Sequence, residues 1–252
     1  MIRLFFALLA AFVLASPICS AGQAERPVSI VLVHGAFVDA AGWKPVYDIL
    51  TKDGYEVLMV QNPTRTLEDD VATTLRVIAA AKGPVVLVGH SYGGAVITEA
   101  GNDPKVRSVV YLAAFAPDIG ESVIELAEKP TPGEPSAPLL PPTDGYLMVD
   151  PAKFPTAFAA DVDPSITTFM AAAQMPWGLK APQAKLTKAA WKVKPTFFLL
   201  TTQDHMIPPS TQRMMAKRTG GKLVEIGSSH AVMLSHPQDV ASFIESAANA
   251  SK

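Results

Sequence analysis

The chain has almost no cysteine. Cys19 stands alone, so no intramolecular disulfide can form, and no Cys/His spacing of a structural zinc site recurs. A strong charge of one sign is missing as well. The 21 Lys and Arg stand against 23 Asp and Glu, and no basic stripe marks a nucleic-acid footprint. No glycine-rich loop has the G-x-G-x-x-G spacing that cradles a dinucleotide, and no internal repeat is visible. No apolar run reaches the roughly 20 residues needed to cross a bilayer. These absences point away from nucleic acid, metal, nucleotide cofactor and membrane span. The 252 residues, 49% of them hydrophobic, suffice for one globular domain with a sizeable core.

Residues 1–24, MIRLFFALLAAFVLASPICSAGQA, have the pattern of an export signal. Arg3 precedes an apolar run of about twelve residues, and small residues follow, with cleavage expected after Ala21 or Ala24. Removing the segment takes away Cys19 and Arg3, leaving a net charge of −3, 20 basic against 23 acidic. The expectation is a periplasmic or secreted protein without thiols.

The remaining residues, 25–252, alternate between strand and helix signals. VSIVLVHG (28–35) is a β-branched run ending in glycine, which suits a strand buried on both faces of a parallel sheet. Further strands are expected at 55–60, 84–88, 106–115, 195–201 and 222–226. Helices are expected at 43–52, after Thr66, at 92–100, and from Pro237 onward. In the helix after Thr66, acids at Glu68, Asp69 and Asp70 favour the dipole, and Val71, Leu75 and Ile78 form the apolar face. This rhythm predicts an α/β fold with a mostly parallel, doubly wound sheet. Residues 117–194 break it. Their start, 129–145, is dense in proline and cannot form a sheet interior, and helical pieces are expected at 155–160 and 164–174. An insertion of that size between two strands reads as a lid over the strand ends.

Within VVLVGHSYGGAVI (85–97), GHSYG fits Gly-x-Ser-x-Gly in the required context, after a buried strand and before a helix. Ser91 then sits on a sharp turn towards positive φ, with its oxygen exposed as a nucleophile. A serine nucleophile needs a base, and the base needs an orienting acid. His230, in the small-residue loop GSSHAVML after the last strand, is the expected base. His90 points elsewhere, and His34 holds a loop. Asp204, after the strand at 195–201, is the expected acid, with Asp118 as its rival. Backbone N–H groups of Ala36, in HGAF, and Tyr92 would form the oxyanion hole. Phe37, Phe115, Trp177 and Met206 are candidate walls of an apolar pocket.

The pieces VLVHGAFVDAAGW, VLVGHSYGG, TTQDHMIPP and SSHAVMLSHP resemble the α/β-hydrolase superfamily. They are most similar to the branch of plant methylesterases, hydroxynitrile lyases and bacterial relatives. The lyases carry threonine where Gly35 stands and lysine where Ala231 stands, so the chain resembles the esterase members. The resemblance implies a cofactor-free serine esterase whose partner is a small, mainly apolar ester, with the oligomeric state left open. Two alternatives stay open: a perhydrolase or cofactor-free haloperoxidase using the same residues, and a ligand-binding protein on the same fold.

Overall fold

A computed structural model of the protein describes residues 28–129 and 132–250. The expected export signal, with Cys19, lies outside the described residues. The strands in chain order are β1 (Ser29–Val33), β2 (Glu56–Val60), β3 (Val85–His90), β4 (Val106–Leu112), β5 (Tyr146–Leu147), β6 (Trp177–Gly178), β7 (Thr196–Thr201) and β8 (Lys222–Ile226). The helices are α1 (Lys44–Lys52), α2 (Leu67–Ala80), α3 (Gly93–Ala100), α4 (Val123–Ala127), α5 (Phe154–Phe158), α6 (Pro164–Ala172), α7 (Lys180–Gln183), α8 (Pro209–Thr219), α9 (Val232–Ser235) and α10 (Pro237–Ala250).

Six strands form one parallel sheet in the order β2-β1-β3-β4-β7-β8. Every residue of β1, β3 and β7 is buried, which explains their unbroken apolar runs: central parallel strands face helices on both sides. The edge strands β2 and β8 are partly exposed. Helix α1 packs on α10, and α2 on α3. This is the doubly wound parallel α/β architecture expected from the strand–helix rhythm.

The strand order fixes where a site can form. The chain leaves β1 for β2 on one side, then crosses to β3 on the other. A crevice therefore opens beyond the carboxyl ends of β1 and β3. The segment between β4 and β7 carries α4 to α7 and a ribbon of β5 and β6 paired antiparallel. Its α5 and α6 fall close to the two expected helical pieces.

One expected face is borne out in part. On α2, Ile78 is buried and Val71 packs against the core, but Leu75 is 37% exposed, and Leu67, Asp70 and Thr74 join the buried side. Thr66 does cap the helix, its side chain accepting from Asp69 N–H at 3.1 Å. Asp70, however, is not a surface acid stabilising the dipole but is completely buried. No helix among the described residues is long and apolar enough to cross a membrane.

Candidate active site

Ser91 follows β3 directly and has φ 55°, the left-handed region that a tight strand-to-helix turn forces and that L-residues avoid. The turn closes because its neighbours lack side chains. A Cβ on Gly93 would lie 2.7 Å from the His34 carbonyl, so α3 starts with its backbone against the end of β1. Gly35 is the tightest case for chemistry. A Cβ there would meet Ser91 Cβ at 2.6 Å and Ser91 Oγ at 3.2 Å. Threonine, the lyase-type residue, would collide with the serine in this arrangement.

The first histidine, His34, is a buried brace. Asn62 N–H donates to its Nε2 at 2.9 Å, so the hydrogen sits on Nδ1, which meets the Gly35 carbonyl at 2.8 Å. Burial holds its pKa below the ordinary value. This ring orients the loop that carries Ala36, as the sequence suggests. Neither the Ala36 nor the Tyr92 N–H donates to another group among the described residues.

Asp204 and His230 follow β7 and β8 and meet at the same edge of the sheet. His230 Nδ1 lies 2.7 Å from Asp204 Oδ2, and both side chains are fully buried. His230 Nε2 is buried and has no hydrogen-bond partner among the described residues. The acid is immobilised by further donors. Met206 and Ile207 N–H donate to Oδ1 at 2.7 and 2.9 Å, while Thr201 hydroxyl and Gln212 amide donate to Oδ2 at 2.9 and 2.8 Å. Thr201 and Gln212 were not singled out in the sequence, because a polar residue inside a strand or helix carries no motif. The rival acid, Asp118, is paired with Lys192 at 2.7 Å, its side chain is 31% exposed, and it is bonded to no histidine.

His90 takes a supporting place. Its Nε2 meets the His230 carbonyl at 2.9 Å, and the two rings lie 4.6 Å apart. Burial and the neighbouring His230 push its pKa well below the ordinary value, so it stays neutral. Phe158 packs edge-on against the His230 ring at 4.8 Å. Asp161 accepts from Ser228 hydroxyl at 2.9 Å, from Ser229 N–H at 3.1 Å, and from Ser229 hydroxyl, fixing the loop just before His230. His236 stands at the edge of this cluster, its Nδ1 3.8 Å from Asp161 Oδ2, whereas His205 is exposed.

A cavity of about 420 Å³ opens over Ser91. Ala36 and Tyr92 line it beside the serine, and Phe37, Phe115, Trp177 and Met206 are among its walls. All four candidate pocket residues thus face one space. The aromatic wall is continuous: Trp177 contacts Phe37 edge-on at 5.5 Å and Tyr92 at 5.0 Å. Glu128, at the rim, is its one charged lining residue among the described residues.

Comparisons with known proteins agree with this architecture. A model described as "Alpha/beta hydrolase family" matches residues 30–243. A carbendazim-hydrolyzing esterase from Nocardioides is 38% identical over 123 residues, 43% of this chain and 51% of that protein, so the match spans about half of that relative. A pyrethroid hydrolase from Sphingobium wenxiniae is 28% identical over 249 residues, covering 88% of each chain. Among solved structures, a methylesterase from Arabidopsis superposes with a TM-score of 0.72 at 21% identity, covering 88% of this chain and 99% of that one, a likeness of fold.

Proposed function

Because the chain belongs to the alpha/beta hydrolase family, we propose that it is a serine carboxylesterase that cleaves small, mainly apolar carboxylic esters with Ser91, His230 and Asp204. One observation carries the reading. Ser91, on its strained turn, shares a largely apolar cavity with Ala36 and Tyr92, whose N–H groups have no acceptor among the described residues.

In this reading Ser91 Oγ gives up its proton to His230 Nε2 and attacks the acyl carbon. Asp204 holds the His230 Nδ1 proton and stabilises the imidazolium; its five donors keep its carboxylate fixed. Ala36 and Tyr92 N–H groups receive the oxyanion, a contribution of typically ~10²–10³ in rate per donor. His230 passes the proton to the departing alcohol. Water then takes the alcohol's place, His230 accepts its proton, and the acyl-enzyme is hydrolysed back to free Ser91.

The insertion between β4 and β7 acts as the lid in this reading, since Trp177 and Leu147 of its ribbon line the cavity. Apolar walls favour an apolar acyl or alcohol group. The two named relatives that hydrolyse carbendazim and pyrethroids support an ester substrate with a hydrophobic body. Residues 1–24 act as a cleaved export signal, which places the enzyme outside the cytoplasm.

The test is turnover of p-nitrophenyl esters of increasing acyl length by wild type and Ser91→Ala. Steady product release by wild type and its loss in Ser91→Ala are expected. Full activity in Ser91→Ala would overturn the assignment. A single stoichiometric burst from wild type would point to the ligand-binding alternative.

A further inference from the structure

The inner face of α2 carries a group that the ester reaction does not use. Asp70 is fully buried, and both its oxygens are occupied. Oδ1 accepts the Thr64 N–H at 2.8 Å, and Oδ2 accepts the Tyr92 hydroxyl at 2.7 Å. Each partner leads to a wall of the cavity. Tyr92 follows Ser91 and lines the cavity, and its ring packs against that of Trp177 at 5.0 Å.

Thr64 leads to Trp177. Its carbonyl accepts the Gly178 N–H at 2.9 Å, and its hydroxyl donates to the Pro176 carbonyl at 3.2 Å. These contacts clamp the residues on either side of Trp177. The loop lies so close to the ribbon that a Cβ on Gly178 would be 2.5 Å from the Arg65 carbonyl. Thr64 has φ 53°, unusual for a β-branched residue, and the Asp70 carboxyl anchors its N–H.

We infer that Asp70 is a positioning residue for the cavity: one buried carboxyl ties Tyr92 to Thr64, and through Thr64 to Trp177, and so sets the aromatic wall against which the substrate's bulky group packs. This role rests on the esterase reading only in that the wall is taken as a substrate wall.

Simple packing does not call for an acid here. A leucine would fill the space on α2 without desolvating a carboxyl. It would leave the Thr64 N–H and the Tyr92 hydroxyl buried and unpaired. The carboxyl is the group that accepts from both at a fixed separation. Asparagine could keep the clamp, its carbonyl accepting from Thr64 and its amide donating to the Tyr92 oxygen.

The experiment compares Asp70→Ala, Asp70→Asn and Tyr92→Phe with wild type, using an aromatic and an aliphatic ester of similar size. Rates are normalised to sites titrated with a fluorophosphonate, which removes unfolded protein from the comparison. Asp70→Ala should raise KM for the aromatic ester about tenfold or more, with a smaller effect on the aliphatic one, on the scale of one unpaired buried donor. Tyr92→Phe should shift KM in the same direction by about threefold, and Asp70→Asn should recover most of the loss.

Amide hydrogen exchange at Thr64 and Gly178 gives a readout independent of turnover, with faster exchange expected in Asp70→Ala than in Asp70→Asn. If Asp70→Ala does not fold, Tyr92→Phe and Asp70→Asn still decide. Wild-type KM in Tyr92→Phe would overturn the role, as would loss in Asp70→Asn equal to that in Asp70→Ala. Exchange at Gly178 unaltered in a folded Asp70→Ala would overturn it too. Absence of any ester turnover in wild type would instead sink the esterase reading, while the exchange data still judge the clamp.

Discussion

Gln212 Nε2 donates to Asp204 Oδ2 at 2.8 Å, the same oxygen that faces His230 Nδ1 at 2.7 Å. Gln212 also donates to the Ile207 carbonyl at 2.9 Å, so one amide on α8 holds both the acid and the loop after β7. Asp204 could satisfy its charge without this donor, but its Oδ2 would be freer to swing away from His230. Gln212→Leu should therefore lower kcat about tenfold or more with little change in KM, the scale of one buried charged hydrogen bond. Steady-state kinetics on a p-nitrophenyl ester checks it. An unchanged kcat would show that Thr201 and the Met206 and Ile207 amides suffice.

The two candidate acids separate cleanly by environment. Asp204 is sealed against His230, whereas Asp118 is partly exposed and paired with Lys192. Asp204→Asn should lose activity by a factor on the order of 10³–10⁴, because the amide no longer fixes the histidine tautomer. Asp118→Asn loses only a surface ion pair, for which ~1 kcal/mol of stability or less is expected, with activity retained. Measuring kcat/KM for both variants tests the assignment. The reverse ranking would move the acid to Asp118.

Gly35 admits no side chain beside Ser91. A Cβ would sit 2.6 Å from Ser91 Cβ and 3.1 Å from the His90 carbonyl, neither of which can retreat without shifting the strained turn. Gly35→Ala should cut kcat by about 10²-fold or more while the protein stays folded, because displacement near 1 Å at a reacting atom is enough for such a loss. The checks are fluorophosphonate labelling rate and thermal denaturation. Rapid labelling in a folded variant would show that the turn yields.

Much of this site can be read from the chain because its parts sit at the ends of unbroken apolar runs. β1, β3 and β7 are buried throughout, so residues 28–33, 85–90 and 196–201 declare parallel strands. Ser91 and Asp204 lie just beyond two of these runs, and Ala36 just beyond the third. The rest is hidden for physical reasons. The ribbon β5/β6 has two residues per strand, too short for any period to register. On α2, Leu75 points outward while the polar Asp70 and Thr74 share the buried face with Leu67 and Ile78. A buried acid held by a tyrosine 22 positions away leaves no local signal. The seating of the 117–194 insertion depends on main-chain contacts such as Met175 N–H to the Phe37 carbonyl, which any sequence can make.

Asp70 also gives the fold a defined dependence on pH. Burial pushes its pKa from 3.8 up to about 6, against the lowering effect of hydrogen bonds from Tyr92 and Thr64; neighbouring Asp69 adds a smaller upward push. The folded state therefore holds a proton that the unfolded chain has already released between these values. The resulting stability is fully present below pH 3.8 and is lost as pH rises through about 6. The gap corresponds to roughly 3 kcal/mol at most. Asp70→Asn cannot titrate and should show a flatter stability profile across this window. Subtracting the two urea-denaturation curves at each pH cancels the other carboxylates. Wild type should lose stability relative to Asp70→Asn between pH 4 and pH 7, by up to about 3 kcal/mol. Parallel profiles would mean that Asp70 titrates alike in the folded and unfolded chains, and a loss in the opposite direction would mean that its hydrogen bonds outweigh its burial.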